Sequence, residues 1–332
     1  MIVTVTLNPS FDRTIDLDAP LERGQVQRAT RAIQEPGGKG VNVSRALHAA
    51  GVDTLAILPG ADTDPMVLAL VADGIPTETV PVTSPIRSNT TITEPDGTTT
   101  KLNEPGATLS AHTATALLEV IVARSADATW LVLAGSMPPG LPTDFYARIV
   151  REVRAAAARA GTEAPRIAVD TSGTPLAALL ASDEEVDLIK PNAEELFELA
   201  AALAIRVPEI HPDFLGIDDE TLVEIADRVI SHGLGAALIT LGSRGAVLVT
   251  PTEVVRAAAP RIVARSTVGA GDCSLAGFLL ASERGDDAAG RLAQAVAHGA
   301  AAASLPGSSV PTLEQAASDS IVVTRSPRTL SE

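Results

Sequence analysis

Short apolar runs and longer stretches of helical periodicity alternate along almost the whole chain, and this alternation constrains the fold more than any other feature. Runs at 2–7, 54–58, 130–134, 166–169, 187–189, 236–241 and 246–249 read as strands. Stretches at 43–50, 64–73, 111–124, 143–160, 193–202, 218–232, 271–284 and 287–305 read as helices between them. Parallel neighbours need long crossovers, and a helix is available for most of them, so the pattern predicts an α/β fold: a mostly parallel central sheet with helices on both faces. With 332 residues, 45% of them hydrophobic, the chain can bury a large core.

Two stretches break the alternation. Residues 11–34 alternate polar and apolar positions without helical spacing, and residues 88–103 read as a hairpin turning at Pro95, Asp96 and Gly97. Both are rich in Thr and charge, as expected of a small β lid outside the main core. The expected organisation is an α/β core made of 1–10, 35–85 and 104–310, a lid made of 11–34 and 86–103, and a loose polar tail, 311–332, with a short helix near Thr312–Ala317. Residues 204–217 hold Pro208 and Pro212 and read as a surface loop or insertion. No internal repeat is visible.

Charge narrows the partners. Lys and Arg number 25 against 41 Asp and Glu, giving −16 without any basic cluster, which argues against nucleic acid and anionic membranes. No apolar run reaches the roughly 20 residues of a membrane span. The single cysteine, Cys273, rules out an internal disulfide, and the opening MIVTVTLNPS reads as a strand rather than a leader, so a cytoplasmic location is expected. The five histidines, at 48, 112, 211, 232 and 298, are too scattered for a zinc site. An acidic chain that binds an anion must concentrate its cations, which gives weight to Lys39, Arg87, Lys101 and Lys190.

The run Ser266-Thr267-Val268-Gly269-Ala270-Gly271-Asp272-Cys273 sets an aspartate on a glycine-built turn that opens an apolar helix. N–H groups at such a start bind anions, and a carboxylate beside them suits proton removal from a hydroxyl that attacks a phosphate. A plain helix cap is the competing reading of Asp272. A second glycine turn, Pro36-Gly37-Gly38-Lys39-Gly40-Val41-Asn42, also opens a helix and favours the phosphoryl-transfer reading. For Asn42 a cap, and for Lys39 a solvated surface position, are the bland alternatives. Cys273, at a helix start, is either a thiol activated by the dipole or a small residue that merely packs.

With GGKGVN at 37–42, AGSMPPG at 134–140, KPNAEE at 190–195, TLGSRGA at 240–246 and STVGAGD at 266–272 in this order, the chain resembles the ribokinase-like carbohydrate kinases over nearly its whole length. TLNPSFD at 6–12 and TTKLNEPGATLS at 99–110 are similar to the branch acting on phosphorylated hexoses. The resemblance implies ATP and Mg2+, and transfer of the γ-phosphoryl to O6 of fructose 1-phosphate, with tagatose 6-phosphate and fructose 6-phosphate as alternative acceptors. It implies Asp272 as catalytic base, with the N–H groups of Gly269, Ala270 and Gly271 around the transferring phosphoryl. Gly37, Gly38, Asp12, Asn42 and Ser136 would meet the sugar; Arg87 and Lys101, assisted by Asn103 and Lys39, its phosphate. Lys190, Asn192, Thr240, Gly242, Gly245, Ser266, Thr267 and Val268 would line the nucleotide, and Glu195 the magnesium and its waters. Arg244 is either a further cation there or a surface residue. Ala134 stands where the family's turn carries Ser, a loss of at most one hydrogen bond. The resemblance also implies a homodimer through the lids.

A non-catalytic sugar-phosphate or nucleotide sensor would have no need of Asp272. A nicotinamide-dependent dehydrogenase is disfavoured because no GxGxxG follows the first strand.

Overall fold

A computed structural model describes residues 1–207 and 217–328. In chain order its elements are β1 (Ile2–Val5), β2 (Ser10–Asp16), β3 (Arg31–Gly37), α1 (Lys39–Ala49), β4 (Thr54–Pro59), α2 (Pro65–Ala72), β5 (Thr77–Val80), β6 (Arg87–Thr93), β7 (Thr99–Asn103), α3 (Ala111–Ser125), β8 (Trp130–Ala134), α4 (Phe145–Ala160), β9 (Arg166–Asp170), α5 (Gly173–Leu180), β10 (Leu188–Ile189), α6 (Ala193–Ala202), α7 (Asp219–Ile230), β11 (Ala237–Thr240), β12 (Ala246–Val249), β13 (Glu253–Ala257), α8 (Ala270–Glu283), α9 (Ala288–Ala303) and β14 (Val323–Pro327).

Ten strands form one sheet in the order β14-β13-β12-β11-β10-β9-β8-β1-β4-β5. From β5 to β11 all neighbours are parallel, and β12, β13 and β14 extend the edge antiparallel. The central strands are buried on both faces, as parallel strands must be. In β8, Leu131 and Leu133 join one core with α3 to α7, while Trp130, Val132 and Ala134 join the opposite core with α1, α8 and α9. Helix starts follow capping chemistry: the side chains of Asp64, Ser110, Asp218 and Asp287 accept N–H groups of the first turns of α2, α3, α7 and α9.

A second sheet, in the order β3-β2-β6-β7, stands apart. Its register puts Ser10, Gly37 and Arg87 in one row, and Asp12, Glu35, Asn89 and Asn103 in the next. Thr14, Ile33, Thr91 and Lys101 form a third row on the same face, since side chains alternate with period two. The hairpin expected at 88–103 is β6 and β7.

Several elements depart from the sequence reading. Helix α5 is unexpected, as are β5, β13 and β14. As far as residue 328 the tail is not loose: β14 pairs with β13 from Val323↔Ala257 to Pro327↔Glu253. The expected helix near Thr312–Ala317 is a single turn, closed by the Ala316 N–H to the Thr312 carbonyl. The Thr312 and Gln315 side chains start it as a cap would, and no second turn follows. Of the segment 204–217, residues 208–216 lie outside the described residues.

Candidate active site

The C-terminal ends of β1, β8 and β9, where open α/β sheets place ligands, meet the small sheet and the starts of α1 and α8. Between them lies a cleft of about 510 Å³. Its main-sheet wall includes Asn8, Gly135, Ser136, Thr171, Ser172, Val268, Gly269 and Asp272, with Lys39 and Asn42 from α1 and Glu195 from α6. Ser10, Asp12, Arg87 and Asn89 face it from the small sheet.

Gly269 opens α8 with φ 75 and no side chain caps this start. An uncapped start of this kind offers first-turn N–H groups suited to an anion, although the Ala270 N–H is turned to the Thr267 carbonyl. Asp272 lies in the first turn, not at the cap position, so the plain capping role is not the one it has. Its Oδ2 accepts from Asn42 Nδ2 at 2.8 Å, and it is 7% exposed. Burial, and then the charge of Asp170, push its pKa up to about 7, against the Asn42 hydrogen bond and the Lys190 and Lys39 charges. Asn42 is likewise inside α1 and not its cap; Gly38 holds that position, at φ 103.

Asp170, at the end of β9, was missed by sequence reasoning, as were the cleft-lining Asn8, Ser10, Asn89, Thr171 and Ser172. Asp170 is 1% exposed and takes two cations: Lys39 Nζ at 2.8 Å on Oδ1 and Lys190 Nζ at 3.1 Å on Oδ2. Burial opposes its charge, yet the two ammonium groups hold its carboxyl below the ordinary range. Lys39 also approaches Glu195 Oε1 at 3.4 Å. Burial would discharge Lys39, but Asp170 and Glu195 outweigh it and keep the ammonium charged. Lys190 does not line the cleft; it lies under the first turn of α8, where a Cβ on Gly271 would stand 3.2 Å from its Nζ.

On the small sheet, Asp12 accepts from Ser10 Oγ at 2.7 Å and Asn89 Nδ2 at 3.1 Å. Burial raises its pKa despite these bonds and the nearby Arg87. Gly37 makes room for it, since a Cβ there would fall 2.2 Å from Asp12 Oδ2. Arg87 donates to the carbonyls of Glu104 at 2.8 Å and Asn8 at 3.1 Å, which fixes its guanidinium at the cleft mouth. Lys101 and Asn103 share the cleft-facing side of this sheet but are exposed and do not line the cleft. Ser136 Oγ accepts from Asn8 Nδ2 at 3.2 Å.

Of the other expected nucleotide residues, Val268 lines the cleft and the rest are outside its lining. Asn192 and Thr240 pair as a bridge at the ends of β10 and β11, followed by the 3-10 turn Gly242–Arg244. Gly245 is structural: a Cβ would strike the Ala257 carbonyl at 2.0 Å. Arg244 turns to Asp219 at 3.0 Å. Ser266 Oγ accepts the Val268 N–H at 3.2 Å and shapes the turn before Gly269, with Thr267 accepting the Ala270 N–H at 3.4 Å.

Cys273 is not an activated thiol. It is 1% exposed, and burial followed by the Asp272 charge pushes its pKa up to about 12, so packing is its role.

Among the described residues no group of three or more His, Cys, Asp or Glu side chains is arranged to hold a metal. Asn192 and Glu195 instead form a reciprocal capping box on α6. Such donors suit a magnesium ion held mainly by phosphate oxygens and water, with Glu195 as the neighbouring carboxylate.

A family model described as pfkB family carbohydrate kinase matches residues 5–315. A 1-phosphofructokinase of Haloferax volcanii is 37% identical over 316 residues, covering 95% of this chain and 94% of the relative. Another, from Xanthomonas campestris pv. campestris, is 34% identical over 284 residues, covering 84% of this chain and 83% of the relative. The solved structure of phosphofructokinase-2 from Escherichia coli in complex with substrates and products superposes with a TM-score of 0.82 at 28% identity, over 95% of this chain and 96% of that one.

Proposed function

Because the chain belongs to the pfkB family of carbohydrate kinases and is a phosphotransferase acting on a sugar-phosphate hydroxyl, we propose that it transfers the γ-phosphoryl of ATP to O6 of fructose 1-phosphate, giving fructose 1,6-bisphosphate. Asp272 carries this reading: a buried carboxyl with a pKa of about 7 beside the uncapped start of α8. A base with that pKa is half ionised at neutral pH and strong enough to take the hydroxyl proton as the P–O bond forms. The Gly269, Ala270 and Gly271 N–H groups supply donors where charge grows on the phosphoryl oxygens.

Lys39, held charged between Asp170 and Glu195 in the cleft wall, assists at the sugar phosphate. The distal phosphate of the sugar falls to Arg87, whose planar fork suits phosphate oxygens, with Lys101 and Asn103 on the same face of the small sheet. Asp12 and Ser136 hold sugar hydroxyls. Asn192, Thr240 and Gly242 line the nucleotide phosphates, and Glu195 would help hold a magnesium ion, which would offset phosphate charge. The small sheet, 11–34 and 86–103, is a lid that excludes water over the core of 1–10, 35–85 and 104–310, and two lids pair in a homodimer. The lone, buried thiol suits the reducing cytoplasm.

Initial rates of ADP formation with fructose 1-phosphate, tagatose 6-phosphate and fructose 6-phosphate test the acceptor. The highest kcat/KM is expected with the first, and Asp272→Asn is expected to lower kcat by at least about 10³-fold. A higher kcat/KM with either other sugar overturns the acceptor, and undiminished turnover by Asp272→Asn overturns the base.

A further inference from the structure

Outside the catalytic residues, a largely buried polar ring is found at the root of the small sheet. Arg45, on α1, is 8% exposed. Its Nη1 donates to the Pro36 carbonyl at 3.0 Å and to the Ser308 carbonyl at 3.2 Å, and its Nη2 lies 3.5 Å from Glu35 Oε1. Glu35 closes the ring: its Oε2 accepts the Ser308 N–H at 3.0 Å and the Ser308 hydroxyl at 3.2 Å. Gly307, at φ 63, lets the loop approach, since a Cβ there would stand 2.6 Å from Glu35 Oε2.

We propose that Arg45 is a positioning residue for phosphoryl transfer, clamping the lid root, α1 and the chain leaving α9 at one point so that the Gly37-Gly38 turn is held in a single arrangement. The inference rests on the cleft being a sugar-phosphate kinase site.

Two observations and one general argument support the clamp. Pro36 immediately precedes the turn, so the bond to its carbonyl fixes the position from which Lys39 and Asn42 depart. Glu35 shares its row of the sheet with Asp12 and Asn89, so the clamp sets the height of that row over the cleft. A buried ion pair is seldom worth more than apolar packing of the same volume, whereas its directional bonds specify geometry. A guanidinium is suited to this because it can reach three acceptors in one plane.

The test uses the full-length protein and the variants Arg45→Ala, Arg45→Lys and Glu35→Gln, each first shown folded by circular dichroism. Arg45→Ala is expected to raise the fructose 1-phosphate KM about tenfold and to lower kcat, while the ATP KM changes less than about twofold. Added guanidinium ion at millimolar concentration is expected to restore part of the rate in Arg45→Ala, and Arg45→Lys is expected to fall between the two. Hydrogen exchange is expected to rise in 31–37 and 305–309 of the variants and not in β8. Equal loss in both KM values without rescue, or unchanged sugar KM in a folded Arg45→Ala, overturns the proposal. If Arg45→Ala does not fold, Glu35→Gln decides it by the same KM split and exchange pattern. Wild-type turnover is measured alongside; its absence refutes the kinase reading, while exchange still reports on the clamp.

Discussion

The carboxyl of Asp272 is both buried and close to a second acid, and each condition favours its proton. Its neighbour Asp170 keeps its charge because Lys39 and Lys190 stand against it, whereas the Asp272 carboxyl has, among the described residues, a single side-chain donor, Asn42. Two acids in one site are thus pushed apart, one ionised throughout and one poised near neutrality. The rate is expected to fall on the acid side as pH drops through about 7, because the base must be ionised to act. Asn42→Ala removes a bond that favours the carboxylate, so the acid limb of kcat/KM is expected to move up by roughly one pH unit. A pH–rate profile of both proteins checks this; a limb that stays in place in Asn42→Ala would assign it to another group. Asp272 was legible in the sequence because a glycine-built turn immediately precedes it. Asp170 was not: an aspartate ending a strand resembles any turn residue, and the lysines that define it are 131 and 20 positions away. Cys273 misled for a related reason, since a helix start lowers a thiol pKa only where water or a cation reaches it, and this one is enclosed.

At the scale of elements, local signals and non-local ones separate cleanly. Helices begun by Asp64, Ser110, Asp218 and Asp287 could be read because the cap is written beside the apolar pattern. Helix α5 escaped because its eight residues start with Gly173 and carry Pro175, both of which look like loop punctuation. Strands β13 and β14 pair across some seventy residues, as in Val254↔Ser326, and neither has a helical crossover to announce it. The two glycine turns were visible as motifs, but why they need glycine is seen only in three dimensions. Gly38 combines φ 103 and ψ 139 with a Cβ position 2.8 Å from Thr6 Cγ2. Only glycine holds that backbone region without strain. Gly38→Ala is expected to cost about 1–3 kcal/mol of stability and, because Lys39 and Asn42 follow directly, at least tenfold in kcat/KM. Denaturant titration and steady-state kinetics measure the two effects; a variant with unchanged midpoint and rate would show that the turn tolerates a side chain.

Over the whole molecule, the small sheet meets α2 through β3, while β7 at its other edge packs mainly on β6. The face away from the cleft carries Ile15, Ile92 and Leu102 between Arg13, Thr90 and Thr100, and Leu102 is 60% exposed. The sheet order leaves β3 and β7 as edges, with unpaired backbone groups available to another strand. A four-stranded sheet with open edges and an outer face that exposes Leu102 among polar residues is most simply satisfied by a second copy of itself, which buries the same residues twice under two-fold symmetry. Such pairing would also connect function across subunits, because the opposite face of these strands carries Asp12, Arg87 and Asn89 into the cleft. The wild-type protein is therefore expected to sediment as a dimer at micromolar concentration. Leu102→Glu, which buries a charge at that contact, is expected to shift it to monomer and to raise the sugar-phosphate KM more than the ATP KM. A wild type that is monomeric, or a Leu102→Glu protein that remains dimeric with unchanged kinetics, would move the contact away from this face.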